Sequence, residues 1–197
     1  MNEFEKCRDF IEHNGIYRCK PGEFIVGKAP LTKYTWQIYL RRCLYDPTFM
    51  NDITTLILDK LDLSDRNVQF GACEDAGVAL AISLSLRTNI SMFSIKKERK
   101  SYGLLNFTEG IIKNKPVILV DDIAGSQQTF RNAKALLTKC QLPLAKQYVA
   151  VINKTLNTHD AYIDRELVSI YTCDDFAMSW TEYVAKYNKE PNYGKYV

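Results

Sequence analysis

The sequence predicts an α/β fold with a central, mostly parallel five-stranded sheet flanked by helices. Two observations carry that prediction. Five short apolar runs follow Asp65, at residues 68–70, 90–93, 117–120, 148–152 and 167–171, and segments with helical spacing at 76–86 and 128–140 separate them. Strand and helix in alternation imply βαβ units and a parallel sheet. The run Val117-Ile118-Leu119-Val120 is continuously aliphatic, as expected of a strand buried on both faces.

Along the chain, Phe4, Cys7, Phe10 and Ile11 recur at helical spacing, so an amphipathic helix is expected at the start. Residues 22–42 are less regular, with Gly27 and Pro30 as breakers and aromatic side chains at Tyr34, Trp36 and Tyr39. Asn51 is placed to cap a helix that turns Ile53, Leu56, Ile57 and Leu61 inward. The five strand runs and their helices follow, with a short turn expected near His159. Trp180, Tyr183, Val184 and Tyr187 predict a C-terminal helix before a polar tail. No internal repeat or low-complexity linker interrupts the chain. A single domain over residues 1–197 is expected, divided into N-terminal helices with a small hood (1–65), an α/β core (66–175) and a C-terminal helix and tail (176–197).

Composition narrows the class. A chain of 197 residues can bury a sizeable core, and 46% hydrophobic with 25% charged residues are ordinary globular values. A formal charge of +3 is too small to imply nucleic-acid binding. The six cysteines form no CxxC pair and do not cluster with the two histidines, which argues against zinc and for reduced thiols in a cytoplasm. The first residues lack the apolar core of a signal peptide, and no apolar run is long enough to span a bilayer. A soluble cytoplasmic protein with no membrane or nucleic-acid partner is expected. His13 and His159 lack a metal-ligand pattern and read as surface or capping residues, and Cys73 as a small buried one.

Three loops carry candidate chemistry. The strand at 117–120 runs into two adjacent carboxylates, Asp121 and Asp122, and then into Ile123, Ala124, Gly125, Ser126, Gln127, Gln128 and Thr129. In open α/β sheets, ligands bind beyond the carboxyl ends of the strands. The aspartates would project into that crevice, where backbone N–H groups of residues 125–129 could cradle a phosphate at a helix N-terminus. A ligand bearing both a diol and a phosphate fits this pairing. The segment Lys96-Lys97-Glu98-Arg99-Lys100-Ser101-Tyr102-Gly103 places four cations within five residues. It reads either as a solvated basic loop or as an arm that closes over an anionic substrate. Small residues in Gly71-Ala72-Cys73-Glu74-Asp75-Ala76-Gly77 would let backbone N–H groups approach a ligand closely.

In the order of these loops the chain resembles the type I phosphoribosyltransferases, and specifically the orotate phosphoribosyltransferases. Residues 117–129 are similar to that family's strand of two acids and its 5-phosphate loop. Residues 96–103 match in length and mostly in charge its flexible loop, Arg-Lys-Glu-x-Lys-x-His-Gly. Gly77-Val78-Ala79-Leu80-Ala81 is similar to its Gly-(Ile/Val)-Pro-Leu-Ala helix start, and residues 24–36 echo its N-terminal Phe-x-Leu-Lys-Ser-Gly-x-x-Ser-Pro-Tyr-Tyr segment. The resemblance spans about residues 24–171.

The resemblance implies the type I phosphoribosyltransferase fold and transfer of a phosphoribosyl group from phosphoribosyl pyrophosphate to a base, most plausibly orotate. Asp121 and Asp122 would hold the ribose hydroxyls, with residues 123–129 around the 5-phosphate. Lys100, matching the principal loop lysine, would act in catalysis and, with Lys96, Lys97 and Tyr102, would neutralise the departing pyrophosphate. Glu74, Asp75, Ala76 and Gly77 would form the pyrophosphate loop, which in this family often contains a cis peptide. Lys28, Tyr34, Thr35, Trp36, Gly125 and Lys154 would line the base. Magnesium would ride on substrate oxygens with no direct protein ligand, and a homodimer would lend each flexible loop to the neighbouring site.

The sequence departs from the family pattern at several of these places. Gln127 stands where the family has glycine, and Gly125 where it has threonine or an acid. Ser101 replaces an acid, Tyr102 a histidine, and Lys28 lies one place later than the family's lysine. Asn153-Lys154 replaces Asp-Arg. Two alternatives therefore stand: a phosphoribosyltransferase for another base, and a catalytically impaired binding or regulatory homologue.

Overall fold

The computed structural model describes residues 1–23, 25–26, 33–96, 107–125, 128–154 and 165–178, with the backbone alone at Val26, Lys33 and Tyr34. In chain order the elements are α1 (Glu3–Asn14), β1 (Ile16–Arg18), β2 (Ile25–Val26), β3 (Lys33–Tyr34), β4 (Trp36–Ile38), α2 (Arg41–Leu44) and α3 (Pro47–Lys60). There follow β5 (Gln69–Cys73), α4 (Ala76–Thr88), β6 (Met92–Ile95), β7 (Thr108–Glu109), β8 (Val117–Ala124), α5 (Gln128–Lys139), β9 (Gln147–Asn153) and β10 (Glu166–Thr172). A 3₁₀ turn, Asp174–Phe176, ends the described chain. The turn expected near His159 and the C-terminal helix expected from Trp180 lie outside the described residues.

The N-terminal region forms as its local sequence directs. Asn2 accepts from the Glu5 N–H at 2.8 Å, and Glu5 accepts in return from the Asn2 N–H, a capping box that starts α1. His13 sits exposed in the last turn of α1, its ring 2.7 Å from the Asp9 carbonyl. The α3 boundary differs from the expectation. Asp46, not Asn51, caps this helix, accepting from the Phe49 N–H at 2.8 Å. Pro47 follows at the first helical position, where its fixed φ suits the helix and its missing N–H is no loss. Asn51 lies one turn inside. Ile53 and Ile57 are fully buried, as expected of the inward face.

The five expected strands form the parallel sheet, and a sixth, β7, adds a short antiparallel edge. The order is β10-β9-β8-β5-β6-β7. β7 pairs over two residues only, Thr108 with Ile95 and Glu109 with Ser94, so no apolar pattern announced it. Alternate residues of β8 face opposite layers. Ile118 and Val120 join the cluster that includes Ile53, Ile57, Leu80 and Leu84, while Val117 and Leu119 pack with Phe130, Ala133 and Leu137. Helices α3 and α4 therefore cover one face and α5 the other. None of the six cysteines forms a disulfide. Burial pushes the Cys7 thiol up to about 12 and that of Cys43 to about 11, so both are inert core groups. Among the described residues no helix is long and apolar enough to cross a membrane.

The strand order reverses between β5 and β8. From β5 the chain crosses to β6 on one side, whereas β8 returns to the other. Such a switch point opens a crevice at the carboxyl ends. The N-terminus of α4 enters it because Gly77 has no side chain: a Cβ there would lie 2.4 Å from the Val120 carbonyl oxygen. This gives a test with opposed signs. Helix propensity alone predicts that Gly77→Ala stabilises by up to about 1 kcal/mol. The contact with rigid backbone predicts a loss of roughly 1–3 kcal/mol, read as a lower urea midpoint. Gly125→Ala, whose Cβ would meet nothing within 4 Å, serves as the control.

Candidate active site

Pairing between β5 and β8 runs from Gln69↔Val117 to Ala72↔Val120, whereas β8 continues beside β9 to Ala124↔Asn153. The strand thus extends four residues past its aliphatic run, and its carboxylates stand where the β5 ladder has ended. Asp121 is buried at 7% exposure, and its Oδ1 accepts the Asp122 N–H at 2.9 Å. Asp122 is half-buried. Burial raises its pKa above the usual carboxylate range, opposed by a hydrogen bond with Asp121 and by the positive field of Arg41.

The loop after β5 carries the next group. The Glu74 N–H donates to the Ile95 carbonyl at 2.9 Å, and the Ser94 hydroxyl lies 3.3 Å from the Glu74 carboxylate. The peptide bond between Glu74 and Asp75 is cis. Ala76 and Gly77 are buried and begin α4. Asp75 makes no side-chain cap; its carboxylate instead meets the Arg41 guanidinium at 3.3 Å. Arg41 also lies 5.9 Å from the centre of the Tyr39 ring. Sequence reasoning missed Arg41, because its partner is 34 residues away and nothing in its local spacing marks it.

On the other side of the aspartates, the Lys154 N–H donates to the Ala124 carbonyl at 2.7 Å, continuing the β8–β9 ladder by one step. Its ammonium lies 5.0 Å from the centre of the Trp36 ring, and Trp36 is 8% exposed. A cation over an indole face is favourable, the more so when desolvated. Burial nonetheless lowers the Lys154 pKa, opposed by Cys173 and by Asp122. The fold thus brings together Trp36 from β4, Asp122 from β8 and Lys154 after β9. Cys173, buried at 7% exposure just after β10, joins them without any signal in the sequence pattern.

Other expected site residues fall in varied places. Ile123 and Ala124 complete β8, and Gly125 follows beside open space. Gln128 and Thr129 open α5, where the Gln128 amide donates to Asn132 at 2.7 Å. The Thr35 carbonyl accepts the Cys19 N–H at 2.7 Å, and the Tyr34 backbone pairs with Ile25. Lys96 is not a solvated loop residue. It follows β6 directly, is 8% exposed and forms an ion pair with Glu109 of β7, so its charge already has a partner within the fold. Lys28, Lys97, Lys100, Tyr102, Ser126 and Gln127 lie outside the described residues. Among the described residues, no group of three or more His, Cys, Asp or Glu could hold a metal ion.

The fold is that of the type I phosphoribosyltransferases. A phosphoribosyltransferase from Corynebacterium diphtheriae superposes with a TM-score of 0.70 at 18% identity, covering 90% of this chain and 100% of that one. The orotate phosphoribosyltransferase of Aeropyrum pernix gives 0.69 at 16% identity, covering 93% and 99%. In sequence the chain is orotate phosphoribosyltransferase-like. It is 24% identical to the Methanopyrus kandleri orotate phosphoribosyltransferase over 158 residues, 79% of this chain and 83% of the relative. The match to the Staphylothermus marinus orotate phosphoribosyltransferase, at 25% identity, spans 55% of that relative's length. No protein-family model matches the chain.

The buried acid pair yields a stability prediction. Because the folded pKa of Asp122 exceeds its unfolded value, the ionised carboxylate destabilises the fold at pH above that raised pKa. That penalty is relieved as pH falls through the raised pKa towards the ordinary carboxylate value. Asp122→Asn should therefore melt higher than the native chain at pH 7.5, and the gap should close on acidification. Melting curves between pH 4 and 8 check this; a variant that melts lower at neutral pH contradicts it.

Proposed function

We propose that the protein transfers the phosphoribosyl group of phosphoribosyl pyrophosphate to orotate, giving orotidine 5-monophosphate and pyrophosphate. The observation that carries this reading is the Asp121–Asp122 pair standing free of the β5 ladder at the switch point, flanked by the start of α4 and the loop into α5. Each carboxylate can accept from one hydroxyl of a ribose diol. In the transfer, the bond from ribose C1 to the pyrophosphate oxygen breaks with its electron pair, and the base nitrogen bonds to C1 as its N–H proton passes to the departing pyrophosphate or to water. Positive charge that builds on the ring meets the field of the aspartates. Preorganised groups of this kind contribute roughly 3–4 kcal/mol each to lowering a barrier.

The N–H groups around Ala76 and Gly77 suit the departing pyrophosphate, and those opening α5 suit the 5-phosphate. Lys97 and Lys100 are assigned to the pyrophosphate by resemblance alone, and Lys96 only if it leaves Glu109. Lys154 and Trp36 are assigned to the base, the ring as a wall and the ammonium as a partner for an anionic oxygen. Magnesium belongs to this proposal as a passenger on the substrate. It is a hard cation that commonly binds through substrate phosphates, retaining waters, and the carboxylates at this end of the sheet are of the right chemistry to meet those waters. The proposal includes a homodimer in which residues 96–103 of one copy serve the site of the other, in a cytoplasmic setting.

A second reading, transfer to another base, rests on Lys154. Lysine offers a point charge where arginine would grip a carboxylate with two parallel hydrogen bonds. One assay separates the readings: purified protein, phosphoribosyl pyrophosphate and magnesium are offered orotate, uracil, hypoxanthine, adenine and guanine, with pyrophosphate release monitored. Turnover with orotate is expected. Turnover with a purine alone overturns the orotate assignment, and absence of both turnover and calorimetric binding of phosphoribosyl pyrophosphate overturns the enzymatic reading.

Lys154 gives a sharper prediction. Lys154→Gln should raise the KM for orotate by about tenfold, the scale of one charge-assisted hydrogen bond. Lys154→Arg should lower it. Since burial holds this amine below the ordinary lysine value, orotate affinity in the native enzyme should fall as pH rises through that lowered pKa, and Lys154→Arg should flatten the decline. An unchanged pH profile in the arginine variant contradicts the role.

A further inference from the structure

A second charged site lies at the opposite end of the sheet, where the strands begin. An open cleft of about 430 Å³ is walled by Val68, which precedes β5, and by Ile90, which precedes β6. Its rim carries Arg66, Lys113 and Lys115, and among the described residues no carboxylate lines it. Asn89, left-handed at the end of α4 (φ 57°), and Ser91 add an amide and a hydroxyl. Val68 and Ile90 are 8% and 5% exposed, so only a small part of each side chain reaches the cleft.

The cations are held in place by a buried group with no other evident task. Gln69 is fully buried, and its amide donates to the carbonyls of Lys113 and Lys115 while accepting the Lys113 N–H at 2.9 Å. Its own backbone N–H donates to the Pro116 carbonyl at 3.0 Å. One interior side chain thereby fixes the backbone that bears both lysines. Arg66 is tied to the end of α4 by a hydrogen bond to the Thr88 carbonyl, which also offsets the negative end of that helix. Among the described residues, the charged groups of Arg66, Lys113 and Lys115 form no ion pair. Three cations gathered on fixed backbone, with no carboxylate among the described residues of the cleft, suit an anion.

We propose that this cleft is a binding site for a phosphate-bearing small molecule of nucleotide size, separate from the crevice that holds Asp121 and Asp122. Its volume lies within the range of small-molecule sites. The lysines and Arg66 take the phosphate, Asn89 and Ser91 a polar edge of the body that carries it, and the small exposed parts of Val68 and Ile90 lie beneath. Lysine supplies mobile point charges suited to phosphate, and Arg66 adds a planar fork.

The test is calorimetric titration of the full chain with three probes: inorganic pyrophosphate, a nucleoside monophosphate and the matching uncharged nucleoside. These are applied to the native protein, to Lys113→Gln/Lys115→Gln and to Asp122→Asn. The double variant removes two surface charges whose ammonium groups form no ion pair, and its melting temperature should match the native one. In the double variant, nucleoside monophosphate binding at this site should weaken at least about tenfold, the scale of one lost charge-assisted hydrogen bond. Asp122→Asn should retain it, and raising salt should weaken it in the native chain. Failure of the proposed transferase reaction leaves these outcomes unaffected. Equal affinity in the native and double-variant proteins overturns the site. So does tighter binding of the uncharged nucleoside than of its phosphate.

Discussion

The approach of α4 to β8 through Gly77 is the contact on which the rest of the crevice depends. With no side chain at that position, the helix start can rest against the Val120 carbonyl, one residue before the acid pair. Three features then fall within one region: the carboxylates, the first N–H groups of α4, and the cis-linked Glu74–Asp75 turn. Arg41 fastens that turn from the N-terminal region through Asp75 and contributes positive field at Asp122. The hood is therefore connected to the core by charge as well as by packing. A residue larger than glycine would push the start of α4 away from the end of β8 that carries the acid pair.

Burial works against both charged groups at the centre of the site. Asp122 is pushed toward its neutral form and Lys154 likewise, while Arg41 favours ionisation of Asp122 and Cys173 and Asp122 favour that of Lys154. Desolvated charges are tolerated in a fold where a partner compensates, and breaking such a pair leaves an uncompensated group. Here the compensation is incomplete, as the net directions of both shifts record. A substrate with hydroxyls for the aspartates and an anionic oxygen for the lysine would add to that compensation. Incomplete compensation of this kind is common at functional sites, where stability is given up for binding.

Much of this was legible in the sequence, and the failures have physical causes. The five parallel strands followed from apolar runs, because strands buried on both faces must be continuously hydrophobic. The acid pair was legible because carboxylates directly after such a run have to emerge at the sheet's carboxyl end. β7 was invisible, since two residues that pair only at an edge need no hydrophobic pattern. The α3 start was misplaced by five residues because Asn51 is a good cap by type, whereas the Asp46-Pro47 pair is a better one by mechanism. Arg41 and Cys173 reach the site through tertiary contacts that no local spacing encodes. Lys96 was legible as a cation but not as a buried one; its partner, Glu109, lies on the strand that could not be foreseen.

Lys154 shows how a change of residue type acquires meaning only in place. Read along the chain, it is lysine where the resembling family has arginine, and a loss of bidentate recognition follows. In the fold the ammonium has Trp36 beneath it at 5.0 Å and Asp122 in its field. The indole face and the carboxylate together fix a point charge that on an open surface would sample many rotamers. Fixing it restores some of the directional preference lost with the guanidinium, since less side-chain entropy remains to be removed when a ligand binds. What cannot be restored is the second hydrogen bond. With Lys154 in the role proposed for it, discrimination would depend on the charge of the base more than on the shape of a carboxylate, and such a pocket would tolerate variation in the group that bears the negative oxygen.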